Sequence, residues 1–152
     1  MLNHTSMKRI SKELESDFND IQYSLTLYHP NKRYIELKCP LLNNILELHI
    51  TPQYPFKPPR VLVNNINYID RHKHMYTNSK GLFKKLNMNN QCPCCDTVLC
   101  DWSPGNRLYQ VVEEYITKEN QYIKVKTYIS FLILNKQLPF DNLLFDKIFT
   151  YL

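Results

Sequence analysis

Three prolines in five residues, Pro55, Pro58 and Pro59, stand just ahead of the apolar run Val61-Leu62-Val63. Proline fixes φ and removes a backbone donor, and it pushes the residue before it into extended geometry. The segment from Tyr54 to Val61 is therefore a stiff, extended entry to a strand and not a helix. Downstream, Cys92, Cys94, Cys95 and Cys100 fall within nine residues, followed by Trp102-Ser103-Pro104. Cysteines at this density point to metal, disulfide or thiolate chemistry. The chain is organised around these two stretches.

The flanking residues predict a small α+β fold. Met7, Ile10, Leu14 and Phe18 recur at helical spacing with Lys, Arg and Glu between them. That pattern predicts an amphipathic helix from about Thr5 to Asp20, with Thr5 or Ser6 as N-cap. Ile21 to Tyr28 reads as a strand, and His29-Pro30-Asn31 as a hairpin turn. Ile35, Leu37 and Cys39 alternate with Tyr34, Glu36 and Lys38, and Leu46, Leu48 and Ile50 with Glu47 and His49. These are half-buried antiparallel strands joined through Pro40 to Asn44. Cys39 reads as a small core residue and His49 as surface or strand packing. Arg60 to Val63 gives the fourth strand. Leu108, Val111, Val112, Tyr115 and Ile116 predict a helix after the Trp-Ser-Pro break, and Tyr122 to Leu134 a further apolar segment, helix or strand.

The Tyr-Pro-Phe-Lys-Pro-Pro segment, the cysteine ahead of Trp-Ser-Pro and the helical Lys8-Arg9-Ile10-Ser11-Lys12-Glu13-Leu14 come in an order that resembles the ubiquitin-conjugating enzymes. The resemblance covers roughly residues 7–116. It implies a core of an N-terminal helix, a four-stranded antiparallel meander, an active-site loop and a crossing helix. Cys94 stands eight residues before Trp102. The resemblance makes it the nucleophile, with Asp96 in register with the family's Cys-Leu-Asp-Ile-Leu. It also implies a face for the activating enzyme and ligases at Lys8, Arg9 and Lys12, with a plain solvated helix face as the alternative. Phe56, Pro104 and Gly105 match the ligase-binding loops, although a small Ala is common at the last position.

One departure bears on catalysis. Tyr68 matches the Tyr before the family's His-Pro-Asn, whose Asn steadies the oxyanion, but Ile69-Asp70-Arg71 follows it here. The His-Pro-Asn at residues 29–31 comes too early in the chain. A polar, basic insert within Asp70 to Gln91 reads as a surface loop. It brings Asn87, Asn89 and Asn90 close to the cysteines in sequence, and any of them could supply the amide.

The cysteine cluster supports more than one chemistry. A thiolate at Cys94 could take the activated C-terminus of ubiquitin or a relative as a thioester and pass it to a lysine amine. That reaction needs a donor for the oxyanion, and the cationic insert would favour the thiolate. Cys92 and Cys95, with Cys100, His72 and His74, could instead hold a structural zinc. Such a site would leave Cys94 available. A Cys-x-x-Cys redox pair is disfavoured because Pro104 delays the following helix. Cys100, in an apolar stretch, reads as an inert buried thiol.

At 152 residues the chain reads as one domain, a core over 5–117 and a divergent tail over 118–152. No apolar run approaches the ~18 residues of a membrane span. The polar start lacks a signal peptide's apolar centre, so an intracellular location, cytoplasmic or nuclear, with reduced thiols is expected. Five cysteines is an odd number, which argues against a closed disulfide framework. The net charge of +5 is spread along the chain and reads as a solvated surface before a nucleic-acid face. Leu138-Pro139 faintly resembles the opening of an F-box, in a segment too short to be one. Leu143, Leu144, Ile148, Phe149 and Leu152 read as a short helix closing over the core. The expected partners are ubiquitin or a ubiquitin-like modifier, an activating enzyme, a ligase and protein substrates. No cofactor is required apart from the possible zinc. The second functional reading is a catalytically silent variant that binds ubiquitin or a ligase as a scaffold.

Overall fold

The computed structural model describes residues 4–27, 33–85 and 96–137. The turn at residues 29–31 and the tail beyond Gln137 lie outside them. The fold is α+β. Helix α1 (His4–Asp17) precedes a five-stranded antiparallel sheet, and two helices, α2 (Tyr68–Lys85) and α3 (Leu108–Gln137), complete it. The strands are β1 (Ser24–Thr26), β2 (Ile35–Leu41), β3 (Asn44–Ile50), β4 (Arg60–Val63) and β5 (Ile66–Asn67), and their order in the sheet is their order in the chain. No described helix is long and apolar enough to cross a membrane.

Alternation along the strands builds the core. Leu25, Leu37, Leu48 and Val61 lie side by side across four strands. Cys39, Leu46 and Val63 form the next row. Ile10, Leu14 and Phe18 of α1 and Leu108, Val111, Val112 and Tyr115 of α3 bury themselves in the same cluster. Cys39 is fully buried there, as expected, and burial pushes its thiol up to about 12.

The sequence reading needs several corrections. The sheet has a fifth strand, because Asn64-Asn65 turns the chain back after β4. α1 already begins at His4, so Thr5 and Ser6 are inside the helix and do not cap it. Ser6 is instead buried, and its hydroxyl donates to the Tyr54 carbonyl at 2.7 Å. α1 ends at Asp17. The opposite face of the sheet is solvated at its margins but buried in the middle, where Glu36, Glu47 and His49 are each only 8% exposed.

The largest difference concerns the insert. Residues 68–85 form a helix of 18 residues, not a surface loop. Asn67 starts it as an N-cap, its Oδ1 accepting from the amides of Ile69 at 3.0 Å and Asp70 at 3.3 Å. α2 lies against α3, which runs unbroken through Thr117 and Tyr122 to Gln137. Tyr122 and Val125 of α3 form a second, smaller core with Met75 and Tyr76 of α2 and Ile129. The 118–137 part of the expected tail is thus a continuation of the helix that closes the main core.

Candidate active-site shoulder and docking face

Cys92, Cys94, Cys95, Asn87, Asn89 and Asn90 lie outside the described residues, which resume at Asp96, two positions after Cys94. Helix α3 holds Asp96 and Val98 in place. Lys118 Nζ donates to the Asp96 carbonyl at 2.6 Å. Glu114 Oε2 accepts from the Val98 amide at 2.6 Å, while its Oε1 accepts from the Tyr68 hydroxyl at 2.7 Å. Burial and the adjacent Glu114 carboxylate push the Tyr68 phenol well above its ordinary range, so it stays a donor. Buried Thr97 closes a turn, its carbonyl accepting from Cys100 N–H at 3.0 Å. A turn whose polar groups are this fully engaged is stiff. Cys100 is exposed at its end, a correction to its reading as a buried thiol, because the turn points that residue outward and buries Thr97.

A second set of contacts joins the proline segment to residues 102–107. The Tyr54-Pro55 peptide is cis. Trp102 Nε1 donates to the Pro55 carbonyl at 2.7 Å, and the Tyr54 and Trp102 ring centroids are 6.0 Å apart. From α1, Arg9 donates to the carbonyls of Pro104 at 3.4 Å and Asn106 at 3.2 Å and pairs with Glu13. On the frame so formed, Phe56 is 78% exposed, and Pro104, Gly105, Lys8 and Lys12 are exposed as well. Arg9 is committed to the frame and differs from the two lysines. Its hydrogen bond to Glu13 raises its pKa. A Cβ at Gly105 would sit 3.6 Å from Ser103 Oγ, an ordinary contact, so the position accepts an Ala.

Glu13 is the residue that sequence reasoning missed. It is 2% exposed. Its carboxylate accepts from the Tyr54 hydroxyl at 2.7 Å and caps α3 through the Leu108 amide at 2.9 Å. Gln110 completes the cap by accepting from the Arg107 amide at 2.8 Å. The sequence signal was Arg9 four residues before Glu13, which also describes an ordinary exposed pair.

The two imidazoles offered as zinc ligands have different surroundings. His74 is exposed, whereas His72 is fully buried between α2 and α3. His72 Nδ1 lies 3.0 Å from the Tyr122 hydroxyl, its ring stacks on Tyr122 at 5.3 Å and meets Tyr68 edge-on at 4.1 Å. Burial lowers its pKa to about 3, with Lys118 and Arg71 adding to the shift. Beside it, Arg71 forms a two-pronged pair with Glu119 at 2.6 and 2.9 Å. α2 thus uses His72 and Arg71 to dock on α3; of the thiols offered as zinc ligands, Cys100 is exposed, and Cys92 and Cys95 lie outside the described residues.

No family model, curated protein or solved structure was found to match this chain.

Proposed function

We propose that this chain carries ubiquitin or a ubiquitin-like modifier as a thioester on Cys94 and passes it to lysine amines. The order of an N-terminal helix, an antiparallel meander and a closing helix agrees with a ubiquitin-conjugating core. The observation that carries the reading is the double anchoring beyond Cys94. Lys118 and Glu114 fix the chain two and four residues past the thiol, and Trp102 latches it to the proline segment. A nucleophile that must accept a bulky protein acyl group needs such a firm base. Phe56, projecting from that latch beside Pro104, Lys8 and Lys12, is the apolar anchor with a basic rim that a ligase or an activating enzyme would grip.

One observation favours the silent-scaffold reading. The tripeptide after Tyr68 lies in the first turn of α2, with Arg71 committed to Glu119. No amide stands there to meet an oxyanion, and the role would fall to Asn87, Asn89 or Asn90.

A charging assay separates the two. With activating enzyme, ATP and ubiquitin, the wild type should form an adduct cleaved by thiols. Cys94→Ser should give a thiol-resistant ester and Cys94→Ala no adduct. An adduct that persists in Cys94→Ala moves the nucleophile to Cys92 or Cys95. Absence of any adduct while a known conjugating enzyme charges leaves the scaffold.

A further inference from the structure

On the sheet face away from the core, four polar side chains of the two central strands meet. Glu36 and Lys38 of β2 lie opposite His49 and Glu47 of β3. Positions two apart on a strand share a face, so β3 presents Glu47 and His49 together, and β2 brings Glu36 in from the side. Among the described residues this is the one group of three metal-ligating side chains that converges, with ligand atoms all within 4.8 Å of one another. All three residues are more than nine-tenths buried. Tyr34 stacks on the His49 ring at 4.3 Å and fixes its orientation.

Glu36, Glu47 and His49 already hold a positive charge. Lys38 Nζ sits 2.8 Å from Glu36 and 3.6 Å from Glu47, and the hydrogen bond to Glu36 raises its pKa. The Lys38 side chain is 41% exposed, so its flexible stem can swing to solvent without unpacking the sheet. We propose that Glu36, Glu47 and His49 form a site for a divalent cation of the zinc class, in which Lys38 is the displaceable resident cation. One imidazole nitrogen and two carboxylates are a borderline donor set that suits zinc better than calcium or magnesium. A tetrahedral zinc with bonds of 2.0–2.1 Å sets its ligand atoms about 3.3 Å apart. His49 Nε2 and Glu47 Oε2 are 3.3 Å apart. Glu36 needs only to close from within 4.8 Å. A fourth position stays open toward the side vacated by Lys38. None of the three ligands belongs to the cysteine cluster.

The test titrates Zn²⁺, then Co²⁺, into metal-free full-length protein, followed by calorimetry, thermal melting and the cobalt spectrum. A Cys92→Ser/Cys94→Ser/Cys95→Ser/Cys100→Ser background removes the competing thiols of the cysteine cluster. One-to-one binding is expected in that background, with a raised melting temperature and a cobalt spectrum lacking thiolate charge transfer. Glu36→Gln and His49→Gln should each abolish it, and Lys38→Met should tighten it. Glu36→Gln changes no shape and serves if His49→Gln does not fold. Binding that survives Glu36→Gln, or vanishes with the four cysteines, overturns the proposal. So does a Lys38→Met protein that takes up no zinc.

Discussion

Leu42 sits where its side chain is a burden. With Asn43 it forms the two-residue turn between the paired ends Leu41 and Asn44 of β2 and β3, at φ of 50° and 63°. Such turns match the twist of a hairpin but need the left-handed region at both positions. Asn tolerates that region, while a γ-branched residue such as Leu is strained there. The β4–β5 turn solves the same problem with Asn64-Asn65. Leu42 is 39% exposed, so little apolar burial opposes a change. Leu42→Asn should stabilise the protein by about 1 kcal/mol, read as a higher urea midpoint with an unchanged slope. An unchanged midpoint would mean that the Leu42 side chain gains as much from packing as the backbone loses.

At the scale of elements, α2 is fastened to α3 by charge as well as by apolar packing. The side chain of Glu119 is only 3% exposed, and it also accepts from Asn44 at 3.3 Å. Arg71→Met leaves that carboxylate buried without its cation and should cost about 3–5 kcal/mol. Arg71→Met combined with Glu119→Leu should recover much of the loss, because both charges then leave the interior together. Chemical denaturation of the two variants checks this. Recovery would place the cost in the stranded charge and not in lost packing. The pair also explains what the sequence could and could not tell. The strands were legible because Ile35-Leu37-Cys39 and Leu46-Leu48-Ile50 alternate, and α1 because Ile10, Leu14 and Phe18 keep helical spacing. α2 was not legible, because its side chains dock through Arg71, His72 and Tyr76 and so look like solvent-facing polarity. The fifth strand is only two residues long, too short for any periodicity. On the site, Phe56 and Pro104 were singled out only by the resemblance to ligase-binding loops, and both are exposed. The burial of Glu13 and the engagement of Arg9 were not legible, since they depend on where distant carbonyls come to rest.

The whole molecule has two cores joined by a polar seam. The large one lies under the sheet and the small one between α2 and the far half of α3, with Arg71, Glu119, His72 and Tyr122 between them. His72 makes the seam sensitive to acid. Its folded pKa of about 3 lies below the ordinary 6.5, so the native state keeps it neutral while the unfolded chain takes up a proton. Its contribution is complete above pH 6.5 and declines as pH falls toward 3. The slope approaches about 1.4 kcal/mol per pH unit once the unfolded imidazole is fully protonated. Unfolding free energies of wild type and His72→Gln between pH 7 and 5 should show the variant's dependence flattened by up to one proton. Equal slopes would mean that the imidazole is already protonated in the native state.

Residues 86–95 leave from the end of α2 and return at Asp96, which Lys118 ties to α3. Cys92, Cys94 and Cys95 therefore come in the chain between two helices that Arg71 and Glu119 clamp together. A change that moves α2 against α3 moves Lys85 and Asp96, the two residues between which those cysteines are carried in the chain.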